Sequence, residues 1–223
     1  MSDKIQIFID GGNFYHLTLK KMGLTETEFD FEAFAEHIAG DRQIVDSGKR
    51  YYVGTVRERE GDPHSKNNMA RQTTLFSSLI KNQWQLKTSK LREREEKLSI
   101  DSRVQDHESI RKLGIHEVRY TKNREKGIDV KLVVDLFIGA LDDRYDTAVI
   151  ISSDTDLVPA IDSIRMRFKK KIEYVGFSIE DPRDRKNDTK PTLSMISKTD
   201  IQRTFIESDL RAFVIPNLFT PKK

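Results

Sequence analysis

Short apolar runs alternate with helical stripes along most of the chain. The run at 5–9 (IQIFI) reads as a first strand that ends at Asp10 and is followed by Gly11, Gly12 and Asn13. After Asp30, the spacing of Phe31, Phe34, Ala35 and Ile38 at i, i+3, i+4 and i+7 predicts a capped amphipathic helix, ended by Gly40. A second strand is predicted at 50–56, a polar loop at 57–68, a helix around Leu75, Phe76, Leu79 and Ile80, and a third strand at 83–87. Val130, Val133, Val134, Phe137, Ile138 and Leu141 predict one apolar face of a helix over 127–143, with Asp129 placed to cap its start. The unbroken run at 148–151 suits a strand buried on both faces, as in a parallel sheet. Polarity then switches abruptly through Ser152, Ser153, Asp154, Thr155 and Asp156. A helix follows to about 168, with Pro159 in its first turn, where a missing N–H is harmless. A fifth strand is predicted at 172–177 and a helix over 193–213.

Strands that alternate with helices imply an α/β fold: a mostly parallel central sheet with right-handed crossovers, covered by helices in a three-layer α/β/α arrangement. No linker divides the chain, so 1–223 is expected to be one domain. The densely charged stretch 90–126 breaks the rhythm and predicts a charged insertion, an extended hairpin or arm with a short helix near 106–113.

Composition narrows the function classes. Charged residues make up 34% of the chain, but the net charge is only +3, too mild to announce a nucleic-acid partner by itself. Without cysteine there are no disulfides, no thiol catalysis and no cysteine-ligated zinc. The first residues lack the apolar core of a signal peptide, and no apolar run approaches the roughly 20 residues of a membrane span. The expectation is a soluble cytoplasmic protein with no membrane partner. The five histidines show no metal-ligand spacing, and no serine, histidine and acid arrangement is visible.

Carboxylates carry the candidate chemistry. Asp10 follows the first strand, Asp129 opens a helix, and Asp154 and Asp156 follow the fourth strand. Ligands of open α/β sheets bind outside the carboxyl ends of the strands, and strands one and four of a doubly wound sheet are neighbours at the topological switch point. Asp156 or Ser153 could merely cap the helix that follows, but one cap explains one acidic residue and there are two. Clustered carboxylates repel unless a cation sits among them, and hard oxygen ligands select Mg²⁺ or Mn²⁺. Such an ion activates water for phosphodiester hydrolysis. Asn13 is placed to orient water or a phosphate oxygen; Ser153 and Thr155 could bond the cluster or the substrate, and Lys126 the nucleic-acid backbone. Asp135 lies about 120° around the helix from Asp129, where it could pair with Lys131 or reach the site from behind.

The segments FIDGGNFY, KGIDVKLVVDL and VIISSDTDLVP, in this order, resemble the three signature segments of the NYN domain, specifically its LabA-like bacterial branch. NYN domains belong to the PIN-like nuclease superfamily. The resemblance covers about 4–213 and implies a PIN-like, Rossmann-like α/β/α fold and a divalent-metal-dependent site for cutting RNA. It assigns Asp10, Asn13, Asp129, Asp154 and Asp156 to that site; the expectation drawn from it is that Asp10, Asp129 and Asp154 ligate the metal, directly or through water. Asp135 matches an acidic position of the family. The family's last motif usually reads SGDSDF; here Ser153 replaces the glycine, Thr155 the serine and Leu157 the phenylalanine. The leading expectation is a metal-dependent endoribonuclease using Mg²⁺ or Mn²⁺, with RNA as partner. The alternative is an RNA-binding or regulatory module with a vestigial site. An aspartyl-phosphate phosphatase is disfavoured, because DGGN stands where DxDx[TV] is needed. Assembly as a homodimer, known among small nucleases of this fold, is left open.

Overall fold

A computed structural model of the chain describes residues 2–56, 58, 61–90, 92–124 and 127–216, with 92, 93, 123 and 124 described by backbone alone. The central sheet has six strands: β1 (Lys4–Asp10), β2 (Gln43–Thr55), β3 (Gln85–Lys90), β6 (Thr147–Ile151), β7 (Lys171–Ser178) and β8 (Ile201–Ile206). Their spatial order is β3-β2-β1-β6-β7-β8, and every adjacent pair is parallel. The chain winds outward from β1 to β3, then returns to the other side of β1 at β6. The switch point therefore falls between β1 and β6. Pairing runs from Ile5 with Thr147 to Ile9 with Ile151, which brings the strand ends at Asp10 and Ser152 side by side.

Helices cover both faces. On one side lie α1 (Gly11–Phe14), α2 (Phe31–Ala39) and α3 (Pro63–Lys81); Phe14, Phe34, Ile38 and Leu75 pack there with Ile5, Ile7 and Ile9 of β1. On the other side α5 (Ile128–Leu141) and α6 (Val158–Phe168) pack Leu132, Leu136, Ile161 and Ile164 onto Phe8 and Ile150. Successive β1 residues thus feed opposite layers, as a strand's two-residue period requires. Each fully buried side chain of this kind contributes about 1.5–3 kcal/mol. Among the described residues no helix is long and apolar enough to cross a membrane.

The charged insertion is an antiparallel hairpin, β4 (Arg92–Ser99) with β5 (Glu117–Arg124), carrying α4 (His107–Lys112) at its far end. It forms its own two-stranded sheet, apart from the central one.

Four sequence expectations are corrected. The predicted loop at 57–68 overlaps α3, which starts at Pro63; Asp62 caps it by accepting from the His64 and Ser65 backbone N–H groups. The second strand starts seven residues earlier than predicted, at Gln43. Over 193–213 there is no single helix but a short α7 (Leu193–Lys198), the edge strand β8 and a short α8 (Glu207–Arg211). β8 has one well-buried side chain, Phe205, so its alternation is too weak to outvote a helical reading. Finally, α5 presents a different face from the predicted one. Ile128, Leu132, Leu136, Gly139 and Ala140 are buried; of the predicted face only Val133 and Phe137 pack against the core, partly buried, while Val130, Val134, Ile138 and Leu141 are exposed. Apolar residues surround this helix, so spacing alone does not select the inward side.

Candidate active site

Asp10 ends β1 and caps α1: its Oδ1 accepts the Asn13 N–H at 3.0 Å. Both glycines after it are helical, within α1. A Cβ on Gly11 would lie 2.4 Å from the buried Tyr51 ring, so close packing of β2 against α1 explains that residue. The other Asp10 oxygen accepts from the Ser152 hydroxyl at 3.2 Å. Ser152 is buried at the end of β6, and its hydroxyl oxygen in turn accepts the Asp154 N–H at 3.2 Å. One hydroxyl thus ties the two strand tips together across the switch point. Sequence reasoning passed over Ser152; its place directly after the apolar run was the available signal.

Asp154 caps the helical turn Thr155–Leu157, its Oδ1 accepting the Asp156 N–H at 2.9 Å. The cap is therefore Asp154, rather than Ser153 or Asp156, and Asp156 stays exposed. Ser153 holds the site from behind. Its N–H donates to Asn13 Oδ1 at 3.0 Å, and its hydroxyl lies 3.1 Å from the Tyr174 hydroxyl, directed into the fold. The Asn13 amide nitrogen has no hydrogen-bond partner among the described residues. Thr155 is exposed beside Asp156. Lys126 lies outside the described residues.

Asp129 stands in the first turn of α5 and caps nothing, because Gly127, in the left-handed conformation at φ 83°, occupies the cap position. Its carboxylate is exposed and, with Asp10, lines one cavity of about 380 Å³ that Asn13, His16 and Leu17 complete. Burial pushes the Asp10 carboxyl up from 3.8 to about 6, against two hydrogen bonds that hold it down; the Asp129 and Asp154 charges push the same way as burial. Partial burial raises Asp129 as well, helped by Asp154 and Asp156. Asp10 thus feels the charges of Asp129 and Asp154, and Asp129 those of Asp154 and Asp156. None of the four is in an ion pair among the described residues.

Asp135 is not part of this cavity and does not pair with Lys131. It accepts from the Tyr52 hydroxyl at 2.8 Å and pairs with Arg50 at 2.9 Å and Lys87 at 3.4 Å. These contacts fasten α5 to β2 and β3, and so fix the helix whose first turn carries Asp129.

The donor set is entirely hard oxygen, which suits Mg²⁺ or Mn²⁺. Among the described residues no three acidic or histidine side chains converge closely enough to ligate an ion directly. An ion here would be held by one or two carboxylates and by water, the usual habit of Mg²⁺.

A family model described as the NYN domain matches residues 4–194. The fold is similar to the crystal structure of a protein of unknown function from Vibrio parahaemolyticus RIMD 2210633, with a TM-score of 0.53 and 16% identity over 92% of this chain and 93% of that one. At that identity the likeness concerns the fold alone. No curated protein matches.

Proposed function

Because the chain belongs to the NYN domain family, within the PIN-like nuclease superfamily, we propose that it is a divalent-metal-dependent ribonuclease, an endonuclease cutting RNA at the β1–β6 switch point. The observation that carries this reading is the meeting of Asp10 and Asp129 in one cavity, with Asp154 close enough to raise both carboxyl groups. Four unpaired carboxylates are a poor surface for a phosphate chain unless a cation lies between them.

Asp10, Asp129 and Asp154 would hold Mg²⁺ or Mn²⁺, directly or through water. Bound there, the ion would lower the pKa of a coordinated water and offset charge on the phosphate. The chain's own groups do the rest. Asn13 offers its amide nitrogen to a phosphate oxygen, held in place by the Ser153 N–H on its carbonyl. Asp156, exposed and without an ion pair, accepts a proton from the attacking water or orients it. Thr155 offers a hydroxyl at the rim. Ser152 keeps Asp10 and the Asp154 backbone in register.

The second reading, an RNA-binding or regulatory module with a vestigial site, has one observation in its favour: no three of the acids converge as a ready cage. Incubating the protein with labelled RNA and DNA in Mn²⁺, Mg²⁺ or EDTA separates the two. The nuclease reading expects RNA fragments with metal, none with EDTA, and at least a hundredfold loss in Asp154→Asn with unchanged thermal unfolding. Binding without cutting under every condition supports the module instead.

A further inference from the structure

A second cavity, of about 310 Å³, opens beside the carboxylate-lined one, and Gly12 and His16 line both. The two are therefore neighbours separated by a single helical edge. We infer that this second cavity is a nucleobase subsite, taking the base of a nucleotide next to the scissile phosphate, with guanine the base its polar groups match. The inference rests on the nuclease reading, which places a phosphate at the adjoining carboxylates.

Size and chemistry both argue for a base. The volume is at the small end of ligand pockets, suited to a ring system rather than to a chain. Tyr15 and His16 present aromatic rings, 5.2 Å apart and inclined at 65°, and Val53 and Val56 add apolar wall. Aromatic faces are the usual platform for unstacked bases. Burial and the nearby Lys20 lower the His16 pKa, which favours a neutral ring suited to stacking.

Polar groups at the same cavity are free to read an edge. Arg71 and Asn68, one helical turn apart on α3, have no ion pair or hydrogen bond among the described side chains. Gln72, by contrast, is committed: it donates to the Gly54 carbonyl and accepts from the Val56 N–H, both at 2.9 Å, and serves as fixed wall. Glu26 accepts from the Tyr51 hydroxyl with Oε1 at 3.0 Å, and its Oε2 has no partner among the described residues. Burial raises the Glu26 pKa, the mark of a carboxylate short of donors. An arginine donor and a carboxylate acceptor at one pocket complement guanine, which offers O6 and N7 as acceptors and its N2 amino group as donor.

The test uses free nucleosides and ribose as probes, followed by ¹H–¹⁵N chemical shifts of the full chain in EDTA. Guanosine should bind at least tenfold more tightly than ribose, with shifts concentrated at Tyr15, His16, Asn68 and Arg71. Asn68→Trp, which fills the cavity, and Arg71→Ala, which removes the donor, should each weaken guanosine at least fivefold, with thermal unfolding confirming that each variant folds. Guanosine binding no tighter than ribose, or unchanged in both variants, overturns the subsite. No metal or cleavage enters this titration. A chain that selects guanosine yet never cuts RNA refutes the nuclease reading alone; a metal-dependent nuclease that treats guanosine and ribose alike refutes the subsite alone.

Discussion

At the scale of single residues, Asp10 shows the cost of assembling the site. Its carboxyl is raised from 3.8 to about 6 in the fold. A raised carboxyl binds its proton more tightly when folded, so the penalty is absent below about pH 3.8, grows through pH 6 and is complete above it. At neutral pH it amounts to about 3 kcal/mol. Asp10→Asn removes that charge and keeps an acceptor for the Asn13 N–H, so the metal-free variant should melt a few degrees above the parent at pH 7.5. At pH 4 the gain should vanish. Thermal unfolding in EDTA at the two pH values checks this, and equal gains at both would contradict it. Asp10, Asp154 and Asp156 were legible in the sequence because each follows an abrupt change from apolar to polar, and Asp129 because it opens an apolar helix. Ser152 was not, since only coordinates reveal that its hydroxyl serves both strand tips. Nor was the inward turn of the Ser153 hydroxyl toward Tyr174, twenty-one residues away.

At the scale of elements, the orientation of α5 decides whether Asp129 reaches the cavity. The apolar pattern located the helix but chose the wrong face, because residues suited to burial lie on every side of it. What selects the inward face is Asp135, held by Tyr52, Arg50 and Lys87 from two strands that are distant in sequence. The Arg50 side chain is only 6% exposed, so Asp135→Ala would leave a buried cation without its partner. That should destabilise the fold by about 3–5 kcal/mol, whereas Lys87→Ala, at a more exposed position, should cost less than about 1 kcal/mol. Urea unfolding of the two variants measures the difference; similar losses would show that the cluster does not fasten the helix. The charged hairpin was legible as an excursion, because its alternating, highly charged strands fit neither a buried strand nor an amphipathic helix. The edge strand β8 was not, with a single well-buried side chain to mark it.

At the scale of the whole molecule, the order β3-β2-β1-β6-β7-β8 makes one cleft from remote segments. Strand β1 and strand β6 are about 140 residues apart in the chain, yet their tips are joined through one serine. The alternation of strands and helices was enough to anticipate a parallel sheet and its switch point, which is why the acids could be grouped before any coordinates. Sequence could not show how far apart their side chains remain, since that depends on packing of α5 and on the turn after β6. The account stands on these carboxylates forming one divalent-cation site. Its most direct test is Mn²⁺ binding by calorimetry to the parent chain, Asp10→Asn and Asp154→Asn. One ion per parent chain, with binding weakened at least tenfold in either variant, is the predicted result. A parent chain that takes up no Mn²⁺, or variants that bind it as well as the parent, would contradict the account.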